Sequence, residues 1–327
     1  MTKMKANRKG RAGNSMRIVF MGTPDIAALS LDRLHSDGHD IAGVFTQPDK
    51  PGGRGMKLRK SPVKELADSL GLPVFQPATL KSEETQETLA RLHCDLIALV
   101  AYGKLLPLQV LELPTFGCVN IHASILPKYR GAAPIQWSIL NGEPTTGVTS
   151  MYMSEELDAG DIISSKQTPI GDGETSGMLY ARLGAMGADL LSETIAAISL
   201  GAAARTPQRH EDATFAPMLN KSMSPVDWND PALRIRHKVL GLDPWPAATA
   251  DLLGKNCKLF SPQIGSHGQG EPPGQILLAT KDGIEIACGD GSVLIGEVQP
   301  PGGRRMKAEE FLRGFRPGDG LWTGFKA

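Results

Sequence analysis

At 327 residues the chain exceeds what a single hydrophobic core usually supports and suits two domains. Lys and Arg together number 35, as do Asp and Glu, which excludes a global attraction to nucleic acid or membrane and leaves that work to local patches. Four dispersed cysteines, Cys94, Cys118, Cys257 and Cys288, form no C-x-x-C pair, so a zinc site or disulfide framework is not expected and a reducing, cytoplasmic setting is; no apolar run is long enough for a membrane span.

Residues 1–16 carry five cations and no acid, lack the apolar stretch of a secretory signal, and read as a disordered basic lead. From Arg17, short apolar runs alternate with helical stretches. "RIVFM" precedes a helix through "IAALSLDRLH", "IAGVF" precedes one at "SPVKELADSLG", and "LPVFQP" precedes one at "SEETQETLARL". "DLIALVA" is followed by a short helix, then by the strand "CVNIHA", a helix at "PIQWSILNG" and the strands "GVTSMYM" and "DIISSKQTPI". This alternation predicts an α/β domain with a doubly wound, mostly parallel sheet. Ser61, Pro62 and Gly71 punctuate the second helix as N-cap, first helical residue and terminator. A long amphipathic helix from Ser176 closes the first domain, assigned to 17–203. The polar, proline-punctuated segment 204–221 predicts a linker. Over 222–327, one helix and five short β-like runs separated by Gly and Pro predict a smaller OB-like β-barrel domain.

In a mostly parallel sheet, ligands sit outside the carboxyl ends of the strands. Asn120 and His122 alternate along "CVNIHA", share one face of that strand end and project together into such a crevice. Asp158 follows His122 by 36 positions, in the loop after "GVTSMYM", and is the candidate third member. A carboxylate beside an imidazole orients it and favours its protonated form, while an amide NH2 can donate to a developing oxyanion, a set suited to acyl transfer. A satisfied polar rim is the plainer reading of the same Asn-x-His. "MGTPD" lacks the G-x-G-x-x-G pattern of dinucleotide binding, and no G-x-S-x-G suggests a serine hydrolase.

The stretch "VNIHASILPKYRGAAPIQWSILNGEPTTGVTSMYMSEELDAGDII" resembles the catalytic core of the folate-dependent formyltransferases. "RIVFMGTPDIA" and "TQPDKPGGRGMKL" resemble the branch of that family acting on methionyl initiator tRNA. The likeness extends from Arg17 to near the C-terminus and implies a formyltransferase-like Rossmann fold, 10-formyltetrahydrofolate as co-substrate, initiator methionyl-tRNA as acceptor and no metal. It places the catalytic Asn, His and Asp on Asn120, His122 and Asp158. The folate loop falls on Ser124, Ile125, Leu126 and Pro127, with Ile125 where leucine is commoner. "VAYGKLLP" resembles the segment whose backbone faces the pterin, which makes Tyr102 and Gly103 candidate folate contacts beside the plain reading of an ordinary loop.

Between Thr46 and Lys64 lie six cations, Lys50, Arg54, Lys57, Arg59, Lys60 and Lys64, against one acid, Asp49. Gly and Pro make this a mobile loop suited to ordering on phosphates, and the resemblance assigns tRNA contact to Lys50, Arg54 and Lys57. Residues 222–327 hold twelve cations and twelve acids, so phosphate binding there needs a local face such as Arg234, Arg236 and Lys238, or Arg304, Arg305 and Lys307. A sibling enzyme formylating an amino sugar, a purine precursor or water would use the same three residues without needing the barrel or the basic loop. An RNA-binding scaffold with a degenerate catalytic domain is a third reading, disfavoured by the intact Asn, His and Asp. A cytoplasmic monomer off the membrane completes the expectation.

Overall fold

The computed structural model describes residues 15–52, 57–268 and 270–314. In chain order the first half runs β1 (Arg17–Gly22), α1 (Asp25–Ser36), β2 (Asp40–Phe45), β3 (Lys50–Gly52), β4 (Lys57–Arg59), α2 (Pro62–Ser69), β5 (Val74–Phe75), α3 (Glu83–Arg91), β6 (Leu96–Val100), α4 (Leu108–Leu111) and β7 (Cys118–His122). Then come β8 (Arg130–Gly131), α5 (Pro134–Leu140), β9 (Thr145–Tyr152), β10 (Ile162–Pro169), α6 (Ser176–Ser199) and β11 (Phe215–Ala216). The last part comprises α7 (Ala232–Leu242), β12 (Ala248–Leu252), β13 (Lys255–Ile264), β14 (Ile276–Thr280), β15 (Gly283–Cys288), β16 (Gly291–Gln299), β17 (Met306–Lys307) and α8 (Ala308–Leu312). By internal packing the backbone divides into two compact units. One takes residues to Gly131, Gly147–Gln167 and Ala181–Phe215; the other takes Ala132–Thr146, Thr168–Tyr180 and Ala216 onward.

A seven-stranded sheet in the order β10-β9-β7-β6-β1-β2-β5 organises the first unit. β7, β6, β1, β2 and β5 run parallel, and β9 runs antiparallel to β7. Five consecutive buried residues in β1, β2 and β6 match the near-continuous apolar reading of strands covered on both faces. The cap on α2 forms as the sequence implies, with Ser61 Oγ accepting from the Lys64 N–H at 3.1 Å. At the end of β1, a Cβ on Gly22 would lie 2.7 Å from Ala27 Cβ and 2.9 Å from the Val100 carbonyl, so the turn into α1 closes only on glycine.

In the second unit the strand order is β12-β13-β16-β15-β14, with β17 on β16, and the resolved pairings are antiparallel. Ile235 and Val239 of α7 and Phe311 and Leu312 of α8 pack with Leu259, Ile284, Ile286, Val293 and Ile295 in one core. Among the described residues β12 and β14 do not pair, which is the partly open form of the barrel.

Two segments carry more structure than their composition alone shows. The basic loop is in part a hairpin, β3 pairing with β4 through Lys50↔Arg59 and Pro51↔Leu58; Gly and Pro hid a strand pair only three residues long. The segment 204–221 is pinned rather than loose. Thr206 exchanges backbone hydrogen bonds with Ile162, the Thr214 carbonyl accepts from Arg130, and Gln208, Ala216 and Leu219 are buried. Single buried residues, not a periodic face, hold it, so no periodicity marks it.

Candidate active site

β7 lies between β6 and β9, with Asn120 opposite Leu99 and Met151 and His122 opposite Thr149. Because side chains alternate along a strand, Asn120 and His122 emerge on one face at its carboxyl end. His122 is 6% exposed. Its Nε2 lies 2.8 Å from the Tyr129 carbonyl oxygen, which can only accept, so Nε2 carries a proton. Nδ1 faces Asp158 Oδ2 at 3.7 Å, an ion-pair distance too long for a hydrogen bond. A protonated ring would therefore aim one N–H at each acceptor, with the tight contact to Tyr129 fixing its plane. Asp158 Oδ2 also accepts the Gly131 N–H at 2.8 Å. Asp158 sits at φ +50°, a left-handed conformation that a non-glycine residue holds only when its surroundings impose it. The half-buried Asn120 carboxamide has no hydrogen-bond partner among the described residues. The three side chains singled out in the sequence thus stand at one end of the sheet, with one donor group unfilled.

The proposed folate loop turns tightly behind them. Ser124 Oγ donates to the Lys128 carbonyl at 2.6 Å, the Lys128 N–H donates to the Ile125 carbonyl at 3.1 Å, and Thr149 Oγ1 donates to the Ser124 carbonyl at 2.6 Å. Ser124 and Leu126 are buried, whereas Ile125 and Pro127 are partly exposed; the Leu126–Pro127 peptide is cis. The Ser124 hydroxyl is thus used in shaping the turn, and what the loop presents is backbone together with Ile125 and Pro127.

Tyr102 does not present its side chain as a ligand contact. Its ring packs with Leu99, Leu106, Val110 and Cys118, its hydroxyl is buried without a partner among the described residues, and burial pushes the phenol up to about 12. Its carbonyl accepts from Gln47 Nε2 at 3.0 Å. Gly103, at φ +78°, turns the chain immediately afterwards.

In the basic hairpin, Lys50 and Arg59 are exposed and Lys60 pairs with Asp68 at 2.7 Å. Lys64 is used at the hairpin's stem, reaching Asp49 Oδ2 at 2.7 Å and Gln76 Oε1 at 2.6 Å, and this contact holds the Asp49 carboxyl below its ordinary value. Arg54 and the Lys57 side chain lie outside the described residues. In the second unit, Arg234 pairs with Asp230, Arg236 with Asp172, Arg304 with Glu310, and Arg305 with Asp243 and Glu297, while Lys238 donates to the Pro225 carbonyl. The cations expected to form a phosphate face there largely answer local acids.

Sequence reasoning missed four groups that shape the site: the Tyr129 carbonyl, the Gly131 N–H, Arg130 and Gln208. Two act through backbone, which side-chain identity does not reveal. Gln208 lies 50 positions after Asp158 in a segment without periodicity, where no spacing rule reaches.

The Formyl transferase family model matches residues 16–195, and the Formyl transferase, C-terminal domain model matches 218–316. The chain is 45% identical over 300 residues to the methionyl-tRNA formyltransferase of Caldanaerobacter subterraneus, covering 91% of this chain and 97% of that one. It is 46% identical to the methionyl-tRNA formyltransferase of Methylococcus capsulatus over 297 residues, 91% of this chain and 96% of that one. Among solved structures, HypX from Aquifex aeolicus in complex with tetrahydrofolic acid shares the fold at a TM-score of 0.64 and 20% identity, over 94% of this chain and 48% of HypX. The chain belongs to the methionyl-tRNA formyltransferase family. No group of three or more His, Cys, Asp or Glu suited to a metal ion occurs among the described residues, and no described helix is long and apolar enough to cross a membrane.

Proposed function

We propose that the chain transfers the formyl group of 10-formyltetrahydrofolate to the α-amine of methionyl initiator tRNA, with Asn120, His122 and Asp158 as its catalytic set. The observation that carries this reading is the Asn120 amide, without a hydrogen-bond partner among the described residues, beside a histidine whose two nitrogens face a carbonyl and a carboxylate. The acceptor nitrogen bonds to the formyl carbon, the carbonyl oxygen takes the negative charge, and the bond to the folate nitrogen then breaks. Asn120 donates its amide N–H to that oxygen as charge develops. His122, oriented through Nε2 by Tyr129, presents Nδ1 as the proton-bearing atom beside Asp158. The net proton moves from the attacking amine to the departing folate nitrogen, and Asp158 steadies the imidazolium in between.

Folate is held by the backbone of the Ser124–Pro127 turn, by Ile125 and Pro127, and by backbone at Gly103. Lys50, Arg54 and Lys57 take acceptor-stem phosphates. The organisation we adopt is a basic lead (1–16), a catalytic domain (17–203), a connecting segment (204–221) and a tRNA-binding domain (222–327). The two family models, which match 16–195 and 218–316, support its division into two parts joined by a connecting stretch. We take the enzyme to act as a cytoplasmic monomer off the membrane, a setting that suits four free cysteines. The test is a formylation assay with methionyl initiator and elongator tRNAs plus a control without RNA. Product on the initiator alone supports the reading. Formylation of an amino sugar in its place, folate hydrolysis without acceptor, or tRNA binding without turnover contradicts it.

A further inference from the structure

We propose that Gln208, within the connecting segment, is a positioning residue for the formyl transfer and sets Asp158 against His122; this rests on the catalytic reading above. Its carboxamide is fully used. Nε2 donates to the Asp158 carbonyl at 2.9 Å and to the Gly160 carbonyl at 2.8 Å. Oε1 accepts from Arg130 Nε at 3.1 Å and Nη2 at 2.7 Å. Both residues are buried, Gln208 at 6% and Arg130 at 5% exposure, so these bonds form out of competition with water.

The two carbonyls bracket the turn that holds Asp158 left-handed. A Cβ on Gly160 would meet the Tyr152 carbonyl at 1.9 Å, so that side of the turn is pressed against β9 while Gln208 grips the other. Arg130 stands between the residues that hold the pair: Tyr129 supplies the carbonyl for His122, and Gly131 supplies the N–H for Asp158. Thr214 fixes this strand through its carbonyl to the Arg130 N–H at 2.8 Å and through Oγ1 to the Tyr129 N–H at 2.9 Å. Thr206 fixes the aspartate's side through Ile162 at 2.8 and 2.9 Å. One stretch, 206–214, thus clamps the acceptor of the histidine and the backbone of the aspartate.

No carboxylate pairs with Arg130 among the described residues; its charge meets Gln208 Oε1 and, at 3.5 Å, His210 Nδ1. A buried cation answered only by neutral groups is a costly way to tie down a surface segment, and it is suited to fixing one amide in one orientation. Losing that orientation frees the Asp158 turn to shift, and a displacement of about 1 Å at reacting groups is enough for a rate loss of order a hundredfold.

The experiment is a double-mutant cycle on the full chain, reading kcat and both KM values. Gln208→Leu removes every bond; Gln208→Glu keeps the contact to Arg130 and removes the donors to the two carbonyls, and it carries the same cycle if Gln208→Leu does not fold. Each is expected to lower kcat about 10- to 100-fold with both KM values within about threefold. In an Asp158→Asn background the same substitution is expected to change kcat less than about twofold, because residues acting through one another are not additive. Losses that multiply, or a KM rise with kcat intact, overturn the positioning role alone. An Asp158→Asn enzyme that turns over like the parent overturns the catalytic reading and this inference with it.

Discussion

Two strands carry a polar side chain into an apolar setting, and they end differently. On β15, Glu285 is buried and complete: Oε1 accepts from the Ser266 and His267 N–H groups at 2.7 and 2.9 Å and from Ser292 Oγ at 2.6 Å, and Oε2 meets His267 Nδ1 at 2.8 Å. On β7, Asn120 ends with its amide unfilled among the described residues and His122 faces Asp158 across 3.7 Å. A polar group whose partners are all protein holds structure in place. One whose partners are incomplete stands where atoms of a substrate finish the set.

Substitutions at the two strands are therefore expected to separate activity from stability. The largest effect falls on β7: His122→Ala is expected to lower kcat by about a hundredfold or more, the range for a positioned acid–base group. A kcat within threefold of the parent would place the chemistry elsewhere. At β15 the pattern inverts. Glu285→Ala strands two backbone N–H groups and a buried hydroxyl, and is expected to cost about 3 kcal/mol in urea unfolding with kcat unchanged. Loss of activity in the folded variant would erase the contrast.

The comparison sharpens with pH. Burial pushes the Glu285 carboxyl up, but hydrogen bonds from Ser292, His267 and the backbone outweigh it and hold the group below its ordinary 4.5. A depressed carboxyl stabilises the fold above its unfolded pKa, and that contribution is lost as pH falls through the folded value. The stability gap between the parent and Glu285→Gln is expected to be full at pH 7 and to shrink as pH falls below 4.5; a constant gap would show that the charge contributes nothing. The smallest effect lies in the hairpin. Lys50→Ala is expected to reduce the salt slope of tRNA binding by about one, with folate affinity unchanged. A slope equal to the parent's would remove Lys50 from the phosphate contacts.

Much of this was legible in the sequence where a repeating signal exists. Buried parallel strands read as apolar runs, α2 carries its cap residues in order, and the alternation of Asn120 and His122 puts both on one face of β7. Pairing His122 with Asp158 needed the family resemblance, since a separation of 36 residues carries no geometry. Three things stayed hidden for physical reasons. The Tyr102 ring packs into the core, and a single aromatic after a buried strand carries no periodic signal of which way it turns. The cations of the second unit meet acids close in space but not always in sequence, as Arg236 and Asp172 show. The hydrogen bonds to Asp158 come from the Gly131 N–H and from one glutamine in a segment whose composition resembles any connector.

The central claim, that the β7 strand end steadies negative charge on the formyl group, is tested most directly by a single-turnover measurement with Asn120→Ala. Both substrates are held at saturation, and folate affinity is measured separately. The account expects the chemical step to slow by about 100- to 1,000-fold while folate binds within about threefold of the parent and the melting temperature barely moves, since the amide makes no hydrogen bond among the described residues. A chemical step as fast as the parent's, in a variant that binds both substrates, would contradict it.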